Sequence, residues 1–575
     1  MVNKATLSDR KQTGSHFTPH DLALFIAQRM SAVTKLGLSS PITVLDPACG
    51  DGELLNAFVN VLSPEQRKSI TLVGIDSDKQ AIRDAYSNLS TLPVNKVDLR
   101  FTDFLSLFQS RTVNGSDLSS TITDGSVDVI IANPPYVRTQ VLGAAKAQQL
   151  ASAFGLTGRV DLYQAFLVAM TKCLRIGGVL GVITSNRFLS TKSGAAIRQL
   201  FNTDYEIIEV FDLGDTKLFD AAVLPAIVIA RRKKQDLFKQ SHLTRFFKIY
   251  EDNATKELTD EAESVFDILN SGIEGRFRVG KRQFCLSVGE LVISQSPKEP
   301  WSMTNFHESE WVEAVRQASA FTIQDITKVR VGVKTTADQV FIRGDWQNMP
   351  YDQRPEQEIL LPIISHDDAE AWRAITPYVN LKRILYTHFV EGGKRKPISL
   401  ETYPKAAAYL LSHYERLVGR KYVIEANRQW YEIWVPQDPM AWKLPKIIFP
   451  DISASPKFLY DADGCVVDGN CYWITLANVQ NPELIFLILG IANSKLMTRY
   501  DDLVFNNKLY AGRRRYLTQY VEKYPLPDPE NLYARHIIQA VKELVLQPTA
   551  LIRRSELEQV IEELVAKAFG VSMVD

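Results

Sequence analysis

The chain has 575 residues, 45% hydrophobic and 23% charged, and its 66 basic and 66 acidic side chains cancel to a formal net charge of zero. That length allows roughly two to four domains with ample core, and a neutral chain must meet any polyanion through local patches, not through its overall field. The five cysteines (Cys49, Cys173, Cys285, Cys465, Cys471) are odd in number and lack zinc-finger spacing, which fits free thiols in a reducing cytoplasm and no metal. The polar N-terminus has no signal-peptide core, and greasy runs such as Leu484 to Ala492 fall far short of the ~20 residues that span a bilayer.

Taken in order, Thr18-Pro19 opens a helical pattern with Leu22, Phe25, Ile26 and Met30 on one face; Thr18 suits its cap and Pro19 its first turn. Ile42 to Leu45 reads as a strand. It runs into Asp46-Pro47-Ala48-Cys49-Gly50-Asp51-Gly52-Glu53 and then a helix through Leu54, Leu55, Phe58 and Val59. Strand, glycine turn, helix is the layout that brings backbone close to a ligand, although the glycine spacing is not the dinucleotide fingerprint. A second strand, Thr71 to Ile75, ends at Asp76, an acid placed to accept from ribose hydroxyls. Asp78 competes for that role, and either acid suits the cap of the helix that follows. A third strand, Lys96 to Phe101, ends at Thr102-Asp103-Phe104. The fourth, Val127 to Ala132, ends abruptly at Asn133-Pro134-Pro135-Tyr136, because two prolines lack the N–H a strand needs. An amide oxygen, a rigid carbonyl and a flat ring at a strand's carboxyl end suit gripping the exocyclic amine of a planar base.

The pattern continues with an amphipathic helix from Asp161 to Leu174, which Gly177-Gly178 is expected to end. Val179 to Ile183 is a fifth strand, followed by Thr184-Ser185-Asn186-Arg187. Ile207 to Phe211 and Ala226 to Ala230 supply two more, with Phe219 on the loop between them, and Arg231 to Lys234 close the unit.

The set from Asp46 to Gly52, Asp76, Asp103, Asn133 to Tyr136 and Gly177 to Arg187 resembles, in its order, the amino-methylating DNA methyltransferases. The match is to the group with methyl-donor motifs first, NPPY next and target recognition last. Thr18-Pro19 resembles that family's N-terminal donor-binding motif, and Phe219 the aromatic that packs on a flipped base. The resemblance implies an α/β fold: a Rossmann-like, seven-stranded S-adenosylmethionine (SAM) methyltransferase sheet in residues 1–235, then a connector (236–300), a mixed α+β target-recognition domain (301–528) and a short helical tail (529–575). It implies methyl transfer from SAM to adenine N6 in duplex DNA, with Asn133, Pro134, Pro135, Tyr136 and Phe219 at the base. Thr18, Pro19, Asp46, Ala48, Cys49, Gly50, Gly52, Asp76, Asp103 and Phe104 would hold the donor.

The remaining chain interleaves basic and aromatic residues, which fits a surface following a nucleic-acid backbone. Phe321 to Ile342 reads as strand, basic turn and strand, and Asn427 to Trp442 is rich in rings. Lys328, Arg330, Lys334, Arg428, Arg513, Arg514 and Arg515 are the candidate DNA contacts. Gly392 to Lys396 is a basic loop, and Pro450-Asp451 reads as structural. Tyr533 to Leu546 and a helix capped by Ser555 and Glu558 form the tail. The expected partner is double-stranded DNA in the cytoplasm of a prokaryotic cell, with no membrane. A separate cognate restriction endonuclease and an orphan role both remain open, as do monomer and dimer. The alternatives are methylation of cytosine N4, RNA or protein glutamine, and a non-catalytic DNA-specificity protein with a vestigial methylase fold. No Pro-Cys dipeptide offers a nucleophile for cytosine C5.

Overall fold

The computed structural model describes residues 18–34, 41–109, 122–136, 143–156, 161–217, 224–234, 244–252, 260–293, 296–476, 479–505, 507–509, 512–547 and 550–572. The chain forms two compact units, residues 1–308 with 509–512, and residues 309–508 with 513–575. In the first, β1 (Ile42–Asp46), β2 (Ile70–Asp76), β3 (Lys96–Phe101), β4 (Val127–Ala132) and β5 (Leu174–Ser185) lie parallel in the order β3-β2-β1-β4-β5. The sheet goes on with β6 (Tyr205–Asp212) and β7 (Pro225–Arg232), β7 sitting antiparallel between β5 and β6.

Alternation along β4 shows why this sheet is covered on both faces. Val129 and Ile131 join the core with α1 (His20–Val33), α2 (Glu53–Asn60) and α3 (Lys79–Leu89). Ile130 and Ala132 join the opposite core with α4 (Ala144–Phe154), α5 (Leu162–Cys173) and α6 (Ala195–Asp204). A strand buried on both sides needs apolar residues at every position, hence the near-continuous run.

The helix before β5 does not end on the glycine pair, as the sequence suggests. It stops at Cys173, Leu174 is already extended, and Gly177 lies within β5 at φ 80°. The sheet also continues past Arg232. β8 (Arg245–Glu251) pairs parallel with β6, and β9 (Asp260–Glu261), β10 (Gly275–Val279), β11 (Arg282–Val292) and β12 (Ser302–Thr304) extend the same sheet.

The second unit holds two four-stranded sheets. One runs β13 (Arg330–Val331), β21 (Cys471–Ile474), β18 (Lys446–Pro450), β19 (Leu459–Asp461); the other runs β14 (Ile342–Arg343), β16 (Arg383–Leu385), β15 (Leu360–Ile364), β20 (Val466–Val467). The expected second strand before Ile342 is instead a helical turn, Asp338–Phe341. α7 (Leu484–Ala492) is buried at every position and packs against α8 (Leu532–Leu546) and α9 (Leu551–Ala568). A Cβ at Gly490 would come within 2.7 Å of Ile537 Cγ2, so glycine lets α7 and α8 approach. The tail thus packs on its own chain. α9 starts one turn earlier than Ser555 suggests, because residues 551–554 are also good helix formers; Glu558 pairs with Arg554 at 3.0 Å instead of completing a cap.

Candidate active site at the carboxyl rim of the sheet

Four neighbouring strands deliver their chemistry to one rim. Because β3, β2, β1 and β4 run the same way, the residues after their carboxyl ends lie side by side, about 4.8 Å apart per strand. Asp103 follows β3, Asp76 ends β2, Asp46 ends β1, and Asn133 to Tyr136 follow β4. The order of the sheet turns at the β1–β4 pair, where open α/β sheets take their ligands.

Hydrogen bonds build the glycine turn. Gly50 N donates to Asp76 Oδ2 (2.9 Å), Ala48 N to Asp46 Oδ1 (3.1 Å) and Gly52 N to the Cys49 carbonyl (2.8 Å). Gly50 and Gly52 have φ of 55° and 86°, which L side chains rarely adopt, and a Cβ at Gly52 would meet Leu89 Cδ1 at 2.9 Å. The two acids have different local partners. Asp78 accepts from Gln80 N (2.7 Å) as the cap of α3, while Asp76 holds Gly50 and, through Oδ1, Asp78 N (2.8 Å). Asp46 is buried, and its Oδ2 has no hydrogen-bond partner among the described residues. Burial pushes its carboxyl up to about 8. Burial, with Asp46 adding, also pushes the Cys49 thiol up, so it is a protonated packing group and no nucleophile.

Asp103 is exposed and accepts from Leu105 N (3.0 Å). Phe104 is 1% exposed and packs against Phe108 and Phe166 beside Asp103.

The tetrapeptide after β4 is internally braced. Tyr136 Oη donates to Asn133 Oδ1 (2.8 Å), and Asn133 Nδ2 donates to Thr18 Oγ1 (3.2 Å). One bond of each sense orients the amide, with its oxygen toward the phenol. Burial, with Tyr163 nearby, raises the Tyr136 phenol well above its ordinary value, so it remains a donor. Thr18 is therefore not the helix cap. Pro19 occupies that position, and its carbonyl accepts from Ala23 N (3.0 Å). His20 Nδ1 meets Glu53 Oε1 at 2.6 Å, tying this segment to the helix after the glycine turn. Nothing in the local sequence announces either contact, since the partners are distant along the chain. Phe219 lies outside the described residues. The loop that leads to it starts from a buried cluster in which Asp212 accepts from Asn186 Nδ2 (3.1 Å) and Tyr250 Oη (2.9 Å).

The family model described as Eco57I restriction-modification methylase matches residues 65–219, and the TaqI-like C-terminal specificity domain matches residues 396–526. The type II methyltransferase M.BanIII of Aneurinibacillus aneurinilyticus is 48% identical over 573 residues, covering 98% of this chain and 98% of its own. The chain belongs to the restriction-modification methylases. The type II methyltransferase M.BstVI of Geobacillus stearothermophilus is 24% identical across 78% of the methylase and 74% of its own length. The type IIG restriction endonuclease BpuSI is similar at a TM-score of 0.39 and 13% identity, over 97% of the methylase and 66% of that chain.

In the second unit of the methylase the candidate DNA contacts divide in two. Arg514 forks onto Asp502 (2.7 and 2.8 Å), and Arg515 onto Asp451 (3.2 and 3.0 Å), which accounts for Asp451 as a structural acid. Arg428 donates to the carbonyls of Ile433 and Trp434 and lies over the Trp434 ring. Arg330 is half-buried over Trp473. Lys328, Lys334 and Arg513 are exposed. Among the described residues no helix is long and apolar enough to cross a membrane, and no cluster of His, Cys, Asp and Glu could hold a metal ion.

Proposed function

We propose that the methylase transfers the methyl group of SAM to N6 of adenine at a defined site in duplex DNA. The observation that carries this is Asn133 and Tyr136, braced by Thr18 and each other, standing on the strand next to the Asp46–Gly52 turn. The donor-side residues fit such a ligand. Asp46 keeps a buried carboxyl oxygen without a hydrogen-bond partner among the described residues, Gly50 and Gly52 turn the backbone through the left-handed region, and Asp76 stands fixed at the neighbouring strand end. SAM, when bound, supplies an activated methyl on a sulfonium, so no metal is required.

The acceptor side follows from the chain's own groups. The adenine amine is a poor nucleophile because its lone pair is delocalised into the ring. The Asn133 amide oxygen and the Pro134 carbonyl accept its two hydrogens, which localises that lone pair by position and electrostatics. A carbonyl oxygen has two lone pairs, so Asn133 Oδ1 can keep the Tyr136 hydroxyl while it takes the base. The Tyr136 ring stacks on the base and stabilises the positive charge that develops, until the methylated amine releases one of its two protons to solvent; the donor's sulfonium would leave as a neutral thioether. Taking the base out of the duplex costs a few kcal/mol, which stacking on Tyr136 and Phe219 offsets by about 1–3 kcal/mol per ring. Asp76 would hold the donor's ribose and Asp103 its adenine amine; Lys328, Lys334 and Arg513 would meet phosphates.

The test is to incubate the protein with SAM and duplex DNA, then identify the methylated nucleoside by mass spectrometry and its context by methylation-sensitive long-read sequencing. N6-methyladenine in one sequence context is expected. N4-methylcytosine, or methylation of RNA alone, would overturn the reading.

A further inference from the structure

The second unit carries a short ribbon that stands apart from its two sheets. The strands His388–Glu391 and Lys394–Pro397 pair antiparallel with each other and, among the described residues, with no other strand. Gly392 and Gly393 join them at φ of 56° and 72°, the two positive values of a tight hairpin turn. A Cβ at either glycine would meet nothing within 4 Å, so the tip stands in open space.

The ribbon has a root and a free face, as the period of two requires. On the root face, His388 is buried and meets Glu432 Oε2 at 3.2 Å. Val390 lies on the same face, and Arg395, its partner across the ribbon, donates to the Gln437 carbonyl at 2.8 Å. The backbone is held as well, with Ile398 N donating to the Thr387 carbonyl at 3.0 Å. The other face pairs Phe389 with Lys396 and Glu391 with Lys394. Phe389 is 39% exposed, both lysines are exposed, and Lys396 Nζ reaches Glu391 at 2.6 Å. On this face two basic side chains stand against one acid, with an aromatic ring among them. The family model of the specificity domain begins at Lys396, so the first strand and the tip fall outside it.

We infer that this ribbon is a DNA-contacting arm of the methylase, with Lys394 and Lys396 on phosphates and Phe389 against the sugar–base edge. It rests on the reading that the substrate is duplex DNA. A two-stranded ribbon fits the major groove of B-DNA, and a rigid root with a basic free face presents charge to phosphate at little cost in ordering. Arg395 and His388 are positioning residues that hold the ribbon erect; they do not meet DNA themselves.

The test uses the full chain and a duplex containing its own methylation site. Fluorescence anisotropy at several salt concentrations gives the slope of log affinity against log salt. Each phosphate contact contributes about 0.9 to that slope, so Lys394→Ala lowers it by about 0.9 and Lys394→Ala with Lys396→Ala by about 1.8. Phe389→Ala weakens binding and leaves the slope in place. Melting temperature and SAM affinity stay at wild-type values, because the substituted side chains are exposed. An unchanged slope in the double variant overturns the inference, and so does a wild type that binds no duplex. A wild type that binds duplex but methylates a base other than adenine would sink the proposed chemistry and leave the ribbon's role supported by the slopes.

Discussion

Removing the Asp76 carboxylate separates the two rim acids. Asp76→Ala deletes an acceptor that holds Gly50 N at 2.9 Å and Asp78 N at 2.8 Å, so the glycine turn loses its lateral brace along with the group that would meet the donor's ribose. A hydrogen bond to a charged group is worth about 1.5–3 kcal/mol. If one such interaction with the donor is lost, the dissociation constant rises roughly 10- to 150-fold. Asp76→Asn keeps one acceptor oxygen but turns an amide N–H toward a second donor, so it falls between wild type and alanine. Asp78→Ala takes away only the cap of α3 and leaves donor affinity within about threefold, at some cost in melting temperature. Titration calorimetry with SAM on all four proteins, checked for folding by circular dichroism, decides the matter. Wild-type affinity in a folded Asp76→Ala protein, or a larger loss in Asp78→Ala, would refute the reasoning.

The ring and hydroxyl of Tyr136 are separable. Tyr136→Ala should slow single-turnover methylation by roughly 5- to 150-fold, the value of about 1–3 kcal/mol of stacking, with SAM affinity unchanged. Tyr136→Phe loses one neutral hydrogen bond and should stay within about tenfold of wild type; equal rates for the two variants would mean the hydroxyl matters and the ring does not. In the second unit, Lys446 Nζ lies 2.6 Å from Asp461 Oδ2 with side chains 0% and 3% exposed, so Lys446→Met strands a buried carboxylate at a cost of about 3–5 kcal/mol. The expected fall in melting temperature is about 6–20 °C, and a shift under about 3 °C would contradict it. Asp501, bonded to Asn507 in a buried cluster, has its carboxyl raised by burial to about 8. The folded protein therefore prefers the protonated acid: its contribution is complete below the ordinary carboxyl value of 3.8 and is lost as pH rises to about 8. Asp501→Asn should gain melting temperature relative to wild type as pH rises from about 4 to about 8, with the difference level above that, and a constant difference across the whole range would speak against the assignment.

Much of the catalytic half is written in short-range pattern. The run Val127 to Ala132 reads as a buried strand because both faces need apolar residues, and Pro134-Pro135 must end it, since neither residue can donate to a ladder. The glycine turn and the acids at strand ends are legible for the same reason: each is a local rule about backbone freedom or capping. Pairing and partnership are not local. Whether residues 245–304 connect two domains or extend the sheet depends on β8 finding β6, which no window of sequence contains. Asp76 and Asp78 look alike until the register of β1 against β2 brings Gly50 to one of them. Thr18 becomes a brace for Asn133, and not a helix cap, only when the chain folds back over more than a hundred residues. Arg514 and Arg515 read as a basic patch, yet Asp502 and Asp451 take up both guanidiniums. The sequence by itself determined the order of elements and the kinds of chemistry they carry, because those follow from periodicity and residue type. Tertiary structure alone decided which polar groups face each other, because a hydrogen bond depends on distance in space and not on distance along the chain.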